Sequence, residues 1–147
     1  MSRYPKWWAE TVTIYNRYED PQTNLITWTK TALSDCFFKA VNNRLTVGQT
    51  VIESNSIIVR IPEKSTYKKY AEWILLGNDK RPDYFTLHQG DIIVLGTVTD
   101  TIDEYSTNNS NALLSKYKEL GECLVIDTFS DNAKIGRGMK HYRVVGE

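Results

Sequence analysis

Cysteine is scarce in this chain of 147 residues. There are two, Cys36 and Cys123, and two histidines, His88 and His141. None stands at Cys-x-x-Cys or His-x-x-x-His spacing, which excludes a zinc site laid out along the chain. Each cysteine lies in a run that reads as a strand, so buried free thiols are expected rather than a disulfide, in a reducing compartment. No apolar run approaches the ~20 residues of a membrane helix. Residues 1–10 place Arg3, Lys6 and Glu10 around Trp7-Trp8 and lack the apolar stretch of a signal peptide. Net charge is also missing: 18 Lys+Arg balance 18 Asp+Glu, with a pI near 6.7. Bulk attraction to nucleic acid or an anionic membrane is thereby excluded, and any DNA contact has to be local. No Gly-x-Ser-x-Gly elbow occurs, and no Ser or Cys has a neighbouring His to activate it. Gly136-Arg137-Gly138 is too short for a phosphate fingerprint and reads as a hairpin turn. The expectation is a protein that is not an enzyme and has no cofactor.

What is present is ordinary globular material: 41% hydrophobic and 24% charged residues, enough for one domain with its own core and too few for two. The domain is expected to span 1–147, with an N-terminal aromatic arm at about 1–9. Residues 10–18 alternate, Val12 and Ile14 on one side and Thr11, Thr13 and Tyr15 on the other, which is the period of a half-buried strand. A turn at 19–24 leads to a second strand at 25–30, a third at 35–41 around Phe37 and Phe38, and a fourth at 56–61 closed by Pro62. Between the third and fourth lies polar 42–55, read as a long loop or a loop with a weak strand at 49–52. Loops of that length are uncommon unless they do something.

Residues 65–76 read equally as a helix capped by Ser65 or as an irregular segment over a barrel mouth. After Gly90-Asp91 comes a strand at 92–98. The clearest helix spans about 111–120: Asn109 or Ser110 caps it, Leu113, Leu114, Tyr117 and Leu120 form its stripe, and Gly121 stops it. Strands at 123–129 and 142–145 finish the chain. The fold expected is mainly β: a small barrel or sandwich of about six to eight antiparallel strands, with long loops and one short helix. Asp100, Asp103 and Glu104 are read as a solvated cluster in a connection, and Lys68-Lys69 and Lys80-Arg81 as solvated loops. Four tryptophans and nine tyrosines are many for this length. Tyr4, Trp7 and Trp8 are candidate interface anchors, unless the arm folds back onto its own sheet.

Several stretches taken in order carry a resemblance: Trp8-Ala9-Glu10-Thr11-Val12-Thr13-Ile14-Tyr15-Asn16 with Thr27-Trp28, then Phe85-Thr86-Leu87 running into Gly90-Asp91-Ile92-Ile93-Val94-Leu95-Gly96, then Asp131-Asn132 and His141-Tyr142-Arg143-Val144-Val145-Gly146. Together they resemble small proteins encoded between the capsid and tail genes of tailed phages and prophages of Gram-positive bacteria. Those proteins are similar in size and β content to head-closure proteins, or stoppers. The resemblance implies a structural virion protein of the neck, assembled in the bacterial host cytoplasm. Its partners would be itself in a ring, expected to be hexameric, portal or adaptor proteins above, and a tail terminator or tail tube protein below. It would touch packaged double-stranded DNA transiently and no membrane. The shared positions read as structural, so no functional residue transfers. By topological analogy Asn42, Asn43, Arg44 and Gln49 are candidates for a channel-facing loop. A tail terminator or tail-completion ring, and an unrelated β-barrel binding a small ligand or nucleic acid, stay open as alternatives.

Overall fold

The alternation that begins at Glu10 closes into a barrel. A computed structural model of the chain describes residues 8–118, 120–131 and 140–147, with the backbone alone at 41–47 and 50–55. Six strands, β1 (Glu10–Glu19), β2 (Ile26–Val47), β3 (Thr50–Pro62), β4 (Ile92–Leu95), β5 (Cys123–Asp131) and β6 (His141–Gly146), pair antiparallel in the closed order β1-β2-β3-β6-β5-β4. Among the described residues two α-helices, α1 (Tyr70–Trp73) and α2 (Ser110–Lys118), and a 3-10 turn at Arg81–Asp83 interrupt them. The small antiparallel barrel with one helix of any length is therefore the architecture, and closure removes the exposed edges an open sandwich would leave.

Closure depends on two strands that each serve two partners in succession. The first part of β2 pairs with β1, up to Cys36 opposite Glu10, and from Phe37 onward β2 pairs with β3. β5 passes from β4 to β6 at Ile126, with a register shift before Thr128. The two strands expected at 25–30 and 35–41 are thus one. Ser34-Asp35 is an irregularity inside it, where Asp35 takes φ 59°, a left-handed conformation that Asp tolerates better than most residues. A polar pair read as a break is a corner.

Alternate residues fill the interior: Val12 and Ile14 from β1, Val59 and Ile61 from β3, Ile93 from β4, Leu124 and Ile126 from β5, and Val144 from β6 are each 0–1% exposed. Residues 63–91 close one mouth. Phe85 and Leu87 enter the interior cluster, and Tyr67 forms a β-bridge with Phe85 while its ring lies 4.2 Å from that of Tyr142. That bridge takes Tyr67 away from a helix, which is why only Tyr70–Trp73 of the 65–76 stretch is helical and Ser65 caps nothing.

The opposite face of β1, β4 and β5 is buried too, beneath α2 and the 96–109 connection. Tyr15, Ile92, Val94 and Cys123 meet Val98 and Leu113 there, with Trp28, Ile102, Leu114 and Tyr117 at the margin. β4 ends at Leu95 rather than Val98, because Gly96 takes φ 93° and turns the chain under the helix. Thr13 holds that turn, donating to the Gly96 carbonyl at 2.8 Å and accepting from the Val98 N–H at 3.0 Å. The helix occupies the expected place, displaced by a residue or two, with the Asn109 side chain accepting from the Ala112 N–H at 3.0 Å. No helix among the described residues is long and apolar enough to cross a membrane.

Candidate functional site

The residues expected to form a long loop form a ribbon instead. Among the described residues, 42–55 pair only with one another: Asn42 with Asn55, Asn43 with Ser54, Arg44 with Glu53, Leu45 with Ile52. β3 meets its other neighbour, β6, only from Ile57 onward. Six residue pairs thus leave the barrel as a two-stranded arm. Gln49 sits in its tip beside Gly48, whose φ of 64° at the first position of a two-residue connection suits a tight hairpin turn. Polar composition misleads here because a ribbon with no sheet on either side has no face that must be uniformly apolar. The legible signal is Leu45-Thr46-Val47-Gly48-Gln49-Thr50-Val51-Ile52, β-branched residues on both sides of a glycine.

Trp8 is the one aromatic-arm candidate among the described residues; Tyr4 and Trp7 lie outside them. It is 4% exposed. Its ring lies 6.4 Å from Phe37 and edge-on to His141 at 5.6 Å, so residue 8 packs on side chains of β2 and β6, the two strands that flank β3. The Gly136-Arg137-Gly138 turn also lies outside the described residues.

The acidic connection is more than solvated surface. Asp100 accepts from Lys116 at 2.8 Å and Tyr117 at 3.2 Å, and the Lys116 ammonium holds its carboxyl below the usual range. Its backbone carbonyl accepts the Tyr15 hydroxyl at 2.6 Å. Glu104 accepts from the Trp28 indole at 3.0 Å and from the Ser110 N–H and hydroxyl at 2.9 and 2.7 Å. Burial raises its pKa, yet these donors outweigh burial and leave it lowered. Asp103 closes its own turn onto the Tyr105 N–H. These carboxylates fasten α2 and its approach to the barrel.

Two charged residues escape a sequence reading, which takes Asp91 for a turn residue and Arg81 for part of a solvated loop. Asp91 is 1% exposed. It accepts from the Arg17 N–H at 3.0 Å, the Asn16 amide at 2.8 Å and the His88 N–H at 3.1 Å. Asn16 also donates to the Thr86 carbonyl at 2.6 Å and accepts the Thr86 N–H at 3.2 Å, so the network ties β1 to the segment that closes the mouth. Burial pushes the Asp91 carboxyl up to about 7 despite the three N–H donors pulling it down. Arg81, expected in a solvated loop, is 6% exposed and stacks over the Tyr18 ring at 3.7 Å.

Both cysteines are free and buried. Burial pushes Cys36 up to about 12 and Cys123 up to about 11, which leaves them as thiols and poor nucleophiles at neutral pH. Among the described residues no group of three or more His, Cys, Asp or Glu could hold a metal ion; His88 stacks on Tyr70 at 3.7 Å, and His141 packs on Trp8.

Compared with known proteins, the chain matches the family model DUF6751, a family of unknown function, over residues 8–147. No curated protein and no solved structure matches it.

Proposed function

The chain belongs to DUF6751, and we propose that it works there by assembly, as a head-completion ring protein of a tailed phage that lies between portal-adaptor and tail and closes the DNA channel. The observation that carries this reading is the self-paired arm 42–55. Six residues of extended strand reach about 20 Å, far enough for arms from neighbouring subunits to converge on a symmetry axis while the barrels form the wall. A two-stranded ribbon is marginally stable alone in water, so an arm of this kind gains most where copies of it meet. Arg44 stands opposite Glu53 in the register, and the whole chain is neutral. A neutral gate suits a channel that has to release its DNA, since each phosphate neutralised by Lys or Arg adds affinity. The order of motifs, which resembles that of small phage head–tail proteins, supports this choice of particle and of position within it.

Quantitative mass spectrometry of purified virions tests this. A copy number about half that of the portal is expected for a sixfold ring beneath a twelvefold one, since closed symmetry fixes the ratio. A ratio that instead follows the tail tube assigns the chain to a terminator or tail-completion ring. Absence from particles overturns the virion reading in favour of a soluble binding barrel.

A further inference from the structure

Arg81 is a nearly buried cation that makes no direct ion pair among the described residues. Its Nη1 donates to the Ile74 and Leu76 carbonyls and its Nη2 to the Asn78 side chain. Its guanidinium centre lies 3.7 Å from the Tyr18 ring and 5.9 Å from that of Trp73. No carboxylate of the described residues stands within ion-pair distance of it, and its Nε–H and one Nη2 N–H have no acceptor among them, though the Nε still reaches solvent. A cation taken out of water without a counter-charge is expensive, and a partner that supplies one recovers part of that cost.

Arg81 lines a pocket of about 260 Å³ between the β1–β2 turn and the 74–81 loop, together with Tyr18, Asp20, Leu25, Thr27 and Thr29. The rim is apolar. Leu25 is 51% exposed and Leu75 84%, and Leu75 is presented outward because Arg81 grips the carbonyls on either side of it. Asp20 spends one carboxylate oxygen on the Gln22 and Thr23 N–H groups of its own turn.

We infer that this pocket receives an extended protein segment, an Asp or Glu side chain of which meets Arg81 while its neighbouring apolar side chains rest on Leu25 and Leu75. Guanidinium matches carboxylate in shape and hydrogen bonding. The threonine hydroxyls and Asp20 suit backbone N–H and C=O groups, which a free anion would leave unused. A buried arginine with an aromatic ring behind it and apolar surface around it is the composition of an interface hot spot. The inference does not depend on the ring reading, because it concerns a surface of the isolated barrel.

The test is an NMR titration of the isotope-labelled full chain with an acetylated, amidated Gly-Leu-Glu-Leu-Gly peptide, alongside its Gln counterpart and inorganic phosphate. Saturable shifts are expected at the amides of Tyr18, Thr27, Thr29 and Asn78, with the Gln peptide about tenfold weaker or worse. Arg81→Gln releases three loop contacts and endangers the fold, so Thr27→Asp is the informative variant. Thr27 is exposed on the pocket wall, and a carboxylate fixed there abolishes peptide binding while the rest of the spectrum is retained. Leu75→Ser weakens binding about threefold. Equal binding of the Glu and Gln peptides, no saturable shift, or a Thr27→Asp protein with unchanged affinity overturns the inference. Tighter binding of phosphate than of the Glu peptide overturns it in favour of a free anion.

Discussion

The sheet formed by β1, β4 and β5 is buried on both sides, but the two sides are built differently. The barrel interior draws residues from all six strands and from the 63–91 closing segment. The layer under α2 is drawn almost wholly from 92–125, with Tyr15 and Trp28 as its contributions from elsewhere. One cluster therefore exists only when the whole barrel has closed. The other can detach as a unit while the barrel stays shut, the condition for local opening below the global transition. Even the carboxylates divide this way: Asp91 is sealed in a backbone-donor network, whereas Asp100 faces solvent with an ammonium partner.

The largest expected effect is at Gly146, where β5 and β6 meet. A Cβ there would run into the Val125 carbonyl oxygen and lie 2.8 Å from Leu124 Cδ1. Backbone cannot yield as a side-chain tip does, so Gly146→Ala is expected to cost more than about 4 kcal/mol and to leave little folded protein by circular dichroism. Leu124→Ala, inside the barrel at 0% exposure, should cost about 2–5 kcal/mol and lower the urea midpoint for every probe together. Leu113→Ala, at 6% exposure in the outer layer, should cost about 2–3 kcal/mol and act unevenly. Hydrogen exchange is expected to speed up over 98–118 while the amides of β3 and β6 keep their protection. Uniform loss of protection in both variants would show that the two layers unfold as one.

The contrast also explains what the sequence makes legible. Alternation at Val12 to Tyr15 reveals a strand, and read alone it implies one wet face. Thr13 and Tyr15 are buried because Val98 and α2 return over them from more than 80 residues away, which no local period reports. The α2 cap and the Leu113, Leu114 and Tyr117 part of its stripe are local features and are readable to within two residues, whereas Leu120 falls past the helix end and is exposed. The arm was hidden by its polarity, since the periodic signal belongs to strands with a face to bury. Asp91 and Arg81 look like turn and loop residues because their burial comes from partners distant in the chain or from backbone carbonyls, neither of which leaves a spacing pattern.

Acidity should separate the two carboxylates. With a folded value of about 7 against an unfolded one near 3.8, Asp91 binds its proton more tightly in the native state. Its contribution is fully present below about pH 4 and is lost as pH rises toward and through 7. Asp91→Asn should flatten that part of the stability profile. It should also cost about 1–3 kcal/mol at pH 5, since an amide NH₂ would then face N–H donors. Asp100 runs the other way: Lys116 and Tyr117 depress it, so its contribution is present above the ordinary carboxylate value and fades as pH falls below it. Its partner is exposed, and water and salt screen the pair. Asp100→Asn is therefore expected to shift the urea midpoint least of all these variants, and less at high salt than at low. If its effect instead equalled that of Asp91→Asn and persisted in salt, the outer layer would have to be held by its charges rather than by Leu113 and Tyr15, and the division between a cooperative interior and a detachable cover would fail.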